Sequence, residues 1–167
     1  MDYRLWTAVA LLLLTATAHA DLRNGMDADV VVGQPDFNTA DSGTTRYTFK
    51  GPRFAFSDGE RLLVADGGNH RILVYNSIPA SNGAPADVVI GQATFTAGNS
   101  STSQTRFNTP TNVFFDGKRL YIVEYLYYRV LIYNTIPAAN GAPADLVMGQ
   151  SSFGTKTLGT SQTRFNA

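Results

Sequence analysis

None of the 167 residues is cysteine, which excludes disulfides and thiolate-bound metal centres. Nor is there an excess of either charge, since 13 basic residues face 13 acidic ones. A nucleic-acid binder would carry a basic footprint, and a polybasic membrane anchor a cluster of lysines and arginines, so neither partner is expected. Histidine is scarce, with only His19 and His70. Long apolar runs are missing too. The one uninterrupted stretch, TAVALLLLTA at 7–16, is too short to cross a bilayer comfortably. What remains is a chain long enough to bury the core of one domain.

That short apolar stretch still carries information. It follows a polar start with Arg4 and precedes Ala18-His19-Ala20, the small-x-small form that a signal peptidase needs. Residues 1–20 therefore read as a secretory signal cleaved after Ala20, and 21–28 as a lead-in. The expected location is secreted or periplasmic, with no membrane attachment after cleavage. His19 leaves with the signal, so His70 is the one histidine of the mature chain. A site built on two or three imidazoles is out of reach for it.

The rest is dominated by repetition. Gly33, Gly91 and Gly149 each stand in an apolar-Gly-Gln motif, 58 residues apart both times (91 − 33 and 149 − 91). Segments 29–86 and 87–144 align without a gap, and 145–167 begins a third copy. Such periodicity marks a solenoid, propeller or array. Each unit reads as four short antiparallel strands. Asp58-Gly59 and Asp116-Gly117 sit between apolar runs, a strong hairpin signal. RILVYN and RVLIYN are rich in β-branched and aromatic residues. IPASNGAPA and IPAANGAPA are loops, broken by proline and Asn-Gly. The strands lack clean alternation and are expected to be buried on both faces. Four-stranded sheets stacked around an axis meet that need, which makes the expected fold all-β, with β-propeller blades.

The stretch LLVADGGNHRILVYN resembles the NHL repeat of propeller proteins, an aspartate and a short turn followed by Asn-His-Arg and an apolar strand. Asp66, Asn69, His70 and Arg71 stand where that motif has them. The second copy departs, with Glu124 for the aspartate and Tyr127-Tyr128 for Asn-His, and keeps Arg129. The likeness is to exported bacterial members of the family and runs from about residue 27 to the end. It implies a closed propeller of about six blades, with four strands near 53–57, 61–65, 70–75 and 87–91 in the first blade. In the second they fall near 111–115, 119–123, 129–133 and 145–149, and DVVVGQ at 29–34 is an orphan outer strand. Two blades and loose ends do not close a ring. Three explanations stay open: a truncated longer protein, favoured by the stop inside a repeat, a ring made from several copies, or an open stack. Unsatisfied end sheets imply self-association of this segment.

Candidate functional residues are read against the structural roles they would otherwise have. Asp66 is expected to accept turn amides, Arg71 to pair with acidic or carbonyl groups of a neighbouring blade, and Gly67-Gly68 to allow a turn with positive φ. His70 reads as a turn or packing residue, and Asn69 and Arg129 as parts of the same structural motif. The Gly-Gln glycines are expected to allow close backbone approach, with the glutamine amides tying down the long loop. Phe107 is expected to pack between blades, and Arg106 and Arg164 each to pair with groups across them. Glu124, Tyr125, Tyr127 and Tyr128 form the candidate binding rim. Tyrosine suits peptide edges or sugar rings, so the expected partner is a protein, peptide or glycan. Strand alternation should send Tyr127 and Tyr128 to opposite faces. No catalytic residue, cofactor or metal ligand is assigned. Some propellers related to the family that the chain resembles are metal-dependent lyases or lactonases, which keeps as the alternative a part of such an enzyme, its catalytic residues in further blades and calcium or zinc held only by a complete ring. On the inner strands only Asn112 resembles a hard-cation ligand.

Overall fold

The computed structural model describes residues 24–165, so the leader at 1–20 lies outside the described residues. Within them, eight strands build two four-stranded antiparallel sheets, each in plain chain order. Sheet A holds β1 (Pro52–Ser57), β2 (Leu62–Asp66), β3 (Arg71–Tyr75) and β4 (Val88–Ile90). Sheet B holds β5 (Pro110–Phe115), β6 (Leu120–Glu124), β7 (Arg129–Tyr133) and β8 (Leu146–Met148). The Asp-Gly turns close as their chemistry requires. Asp58 Oδ1 accepts the Glu60 and Arg61 amides at 3.0 and 2.7 Å, and Asp116 Oδ1 accepts those of Lys118 and Arg119 at 2.8 and 2.6 Å. Each side chain thus replaces water on the turn's free N–H groups.

The period-2 geometry of a strand sorts the apolar residues between two faces. One face of sheet A, with Leu63, Ala65, Ile72, Val74, Val88 and Ile90, meets Val113, Phe115, Ile122, Leu131 and Tyr133 of sheet B in one core cluster. β5 lies against β1 and β2 at the centre of this contact. The other face of sheet A, with Val64, Leu73, Tyr75 and Val89, is covered by Val32 and Phe49 from the segment before β1. β2, β3 and β4 are therefore buried on both faces, as their unbroken apolar runs imply, while β1 stays exposed.

Sheet B departs from that expectation. Its far face is open: Val123, Leu146 and Met148 are exposed, and β8 is the least buried outer strand. The physical reason is that no third sheet layers onto it among the described residues. Residues 29–34 also depart from expectation, forming no strand because no neighbouring strand lies along them. They are nevertheless held in place. The Val31 amide donates to Asn82 Oδ1 at 2.9 Å, and the Gly83 amide donates to the Val31 carbonyl at 3.0 Å. One repeat on, Val89 of β4 makes the same two bonds to Asn140 and Gly141, at 3.0 and 3.0 Å. Among the described residues no helix is long and apolar enough to cross a membrane.

Candidate functional site

The chain reverses between the second and third strands of each sheet through one turn of 3-10 helix, Gly67–Asn69 in sheet A and Tyr125–Tyr127 in sheet B. The left-handed residue is the one that follows, His70 at φ 55° and Tyr128 at φ 50°. This corrects the expectation that Gly67 and Gly68 would take positive φ. Gly68 is needed for room instead. Its amide donates to the Lys50 carbonyl at 2.8 Å, and a Cβ there would stand 2.3 Å from that oxygen.

Beneath the first turn lies a buried ion pair. Asp66 and Arg71 are both fully buried, with Arg71 Nε donating to Asp66 Oδ2 at 2.8 Å. Asp66 Oδ1 accepts the Lys50 amide at 2.7 Å, and Oδ2 also accepts Asn69 Nδ2 at 2.8 Å. The aspartate thus serves the segment before β1 rather than the turn's own amides. Arg71 Nη2 donates to the Thr45 and Thr48 carbonyls at 2.8 and 3.0 Å, and Nη1 to that of Phe95. Asn69 reaches the same loop through the Gly43 carbonyl and the Thr44 hydroxyl, both at 2.8 Å. A buried charge pair is tolerable when its remaining donors and acceptors are met in this way.

Sheet B rebuilds the network with different side chains. Arg129 Nε donates to Glu124 Oε2 at 2.6 Å, and Glu124 Oε1 accepts the Asn108 amide at 2.5 Å. Arg129 Nη2 donates to the Ser103 and Arg106 carbonyls at 3.3 and 3.2 Å, and Nη1 to that of Phe153. Burial pushes the Glu124 carboxyl above its ordinary value, and the Arg129 guanidinium acts against that rise. Tyr127 takes the place of Asn69. Its ring is buried and has the Arg129 guanidinium 5.5 Å and the Lys156 ammonium 5.2 Å from its centroid. A flat cation–π contact thus replaces the polar contacts of the asparagine.

The rim residues separate by environment. Tyr125 is 58% exposed, Leu126 is also exposed, Tyr128 is half-buried and Tyr127 is buried. Tyr127 and Tyr128 do part company, but through the 3-10 turn and its left-handed exit rather than strand alternation. Val123, Tyr125, Tyr128, Val130 and Phe165 line a groove of about 320 Å³. Glu124 has no exposed surface and is committed to Arg129 and Asn108.

His70 has a specific job that its sequence neighbourhood did not disclose. Its Nδ1 accepts the Thr109 amide at 3.0 Å, joining the turn of sheet A to the approach of β5. Desolvation holds the imidazole below its ordinary value, Lys50 adds to the effect, and Asp66 opposes it. The glutamines do tie down loops: Gln92 Nε2 donates to the His70 and Asn99 carbonyls, and Gln150 Nε2 to those of Tyr128 and Thr157. The adjoining glycine accommodates an aromatic ring, and at Gly149 also a backbone group, the Tyr128 carbonyl, 2.6 Å from a Cβ placed there. A Cβ on Gly91, at φ 88°, would stand 2.2 Å from the Phe107 ring. Arg106 and Arg164 enter none of the three ion pairs of the described residues. No cluster of three His, Asp or Glu side chains suited to a metal occurs among the described residues.

The Asn-Gly pairs at 82–83 and 140–141 were legible only as loop breakers. Their role as clamps on Val31 and on Val89 of β4 could have been suspected from their recurrence at one fixed offset after the Gly-Gln motif. In comparisons with known proteins, no family model, no curated protein and no solved structure matches the chain.

Proposed function

We propose that the two sheets are neighbouring blades of an NHL-type β-propeller, and that the exported protein is a binding scaffold rather than a catalyst. A protein, peptide or glycan partner meets it at the rim formed by Tyr125 and Tyr128. One observation carries this reading. Both turns sit on the same buried acid–arginine pair, yet only the turn of sheet B sets tyrosines beside an open apolar groove. A tyrosine offers a broad apolar face and a hydroxyl at low entropic cost, which suits a flat sugar ring or a peptide edge. Export rests on the leader at 1–20.

Trp6, the single tryptophan, falls in that leader, so the mature chain emits from tyrosine alone. Titration with a panel of oligosaccharides and extended peptides should give a saturable change in tyrosine emission that Tyr125→Ala removes. A flat response across the panel, or one that survives in both Tyr125→Ala and Tyr128→Ala, rejects the rim as the binding surface.

A further inference from the structure

We infer that one copy of this chain docks head-to-tail on a second, and that residues 29–33 compete with that docking from within the chain. The first observation is a repeated interface of which both halves are left over. Ala65, Val88 and Ile90 of sheet A are 0, 4 and 0% exposed because sheet B lies on them. Their counterparts one repeat on, Val123, Leu146 and Met148, are 36, 52 and 49% exposed. The complementary half is the front of sheet A, where Ala55, Leu62 and Val64 stand at the positions of Val113, Leu120 and Ile122. These three counterparts in sheet B are fully buried, whereas in sheet A Ala55 is exposed, Leu62 is half-buried and only Val64 is covered, by Val32 and Phe49, so that this part of the front opens on a cavity of about 430 Å³. The far face of sheet B in one copy thus repeats the surface that already binds the near face of sheet B within the chain. A heterologous contact of this kind propagates as a filament, or closes as a ring where the rotation allows.

The second observation identifies what stands in the way. Val31 is clamped by Asn82 and Gly83 just as Val89 of β4 is clamped by Asn140 and Gly141. Gly33 lies under the Phe49 ring, and Gly91 under that of Phe107; a Cβ added to either would stand 2.2 Å from the ring. Residues 29–33 therefore occupy, in front of sheet A, the place that β4 occupies in front of sheet B. By the same repeat, β8 of an incoming copy would land on that place. β8 and the segment 29–33 are rivals for one slot, with Met148 matching Val32.

Their holds differ. β8 keeps its ladder to β7, through Val130–Met148, Leu131–Val147 and Ile132–Leu146, and would gain the Asn82–Gly83 clamp. Among the described residues Val147 has no such clamp of its own, whereas Val31 and Val89 do. Residues 29–33 have the clamp and the apolar contact of Val32, with no ladder. Their advantage is tethering, since a short connection gives an effective concentration in the millimolar range. The incoming strand is the better ligand and the resident segment the nearer. Association is therefore concentration-dependent, and loosening the resident segment strengthens it.

The test is light scattering and sedimentation of the full chain over a concentration series. Val32→Asp removes the resident segment's apolar anchor and should lower the concentration for half-association at least about tenfold, an effect of hot-spot size. Met148→Asp, which leaves residues 29–33 untouched, should raise it by a similar factor, and the double variant should associate no better than Met148→Asp alone. Association unchanged by Met148→Asp overturns the docking surface, whatever Val32→Asp does to folding. A folded Val32→Asp chain that associates no more readily than wild type overturns the competition.

Discussion

His70 Nδ1 accepts the Thr109 amide at 3.0 Å, and through that bond a side chain of sheet A holds the backbone entering sheet B. Both residues are left-handed, at φ 55° and φ 47°, so the contact joins two places where the chain has given up its preferred conformation. An imidazole can accept there only while Nδ1 is unprotonated.

This relationship makes the joint between the sheets sensitive to acid. Desolvation and Lys50 depress the His70 pKa in the folded chain, against Asp66. The unfolded chain then binds more protons just below the ordinary value of 6.5, so stability is full above it and declines as pH falls through the folded value. His70→Asn retains an acceptor and tolerates the left-handed region. Urea midpoints of that variant should lose the acid-side slope that wild type shows. His70→Ala should cost about 1 kcal/mol near neutrality for the lost hydrogen bond.

Glu124 should titrate with the opposite sign. Its folded pKa is raised above 4.5, first by burial and against Arg129. Its contribution is fully present below 4.5 and is lost as pH rises through the folded value. In Glu124→Gln the rising slope of His70 below 6.5 should survive, and in His70→Asn the falling slope of Glu124 above 4.5, while Asp36, Asp58 and Asp116, held below 3.8 first by backbone amides, add a rising slope at lower pH in both. Arg129→Leu leaves the carboxylate buried and alone, and should cost about 3–5 kcal/mol by chemical denaturation at neutral pH.

The strand pattern was open to reading because each strand is bounded by strong local chemistry. Asp58-Gly59 and Asp116-Gly117 fix two hairpins, and the prolines with Asn-Gly fix the loops before β4 and β8. The sequence of 29–34 reads as a strand that does not form, because a strand needs a neighbour as well as a sequence, and Val30 and Val32 have none along them. Asp66, Arg71 and Arg129 were recognisable as structural, but their partners were not. Lys50, Thr45 and Asn108 contribute backbone groups, which leave no mark on side-chain identity. The use of His70 was hidden for the same reason, since its partner is an amide.

Gly91 and Phe107 offer a coupling that can be measured directly. Gly91→Ala forces a Cβ into a ring 2.2 Å away at φ 88°, and backbone strain alone should cost about 1–3 kcal/mol. Phe107→Ala, at a fully buried site, should cost about 3–5 kcal/mol. With the ring gone the added methyl has space, so the double variant should fall short of the sum by about 0.5–3 kcal/mol. Strict additivity in a double-mutant cycle would mean that the ring is not what the glycine accommodates.

Tyr127 allows the two turns to be compared within one molecule. It occupies the position of Asn69, whose side chain bonds the Gly43 carbonyl and the Thr44 hydroxyl. The corresponding residues in sheet B are Ser101 and Thr102, in a loop closed by the same kind of bond: Ser101 to the Phe107 carbonyl at 3.2 Å, as Gly43 to Phe49 at 3.0 Å. Tyr127→Ala removes a buried ring from beneath Arg129 and should cost about 3 kcal/mol or more. Tyr127→Asn loses the same ring but supplies the donor and acceptor that serve in sheet A, so it should recover about 1 kcal/mol or more of that loss. Tyr125→Ala, at an exposed site, should change stability by no more than about 0.5 kcal/mol. If Tyr127→Asn proves as damaging as alanine, the loop at 101–102 cannot rebuild the polar contacts. The aromatic ring would then be a fixed requirement of the second turn, set by Glu124 and Lys156, and not a replaceable packing solution.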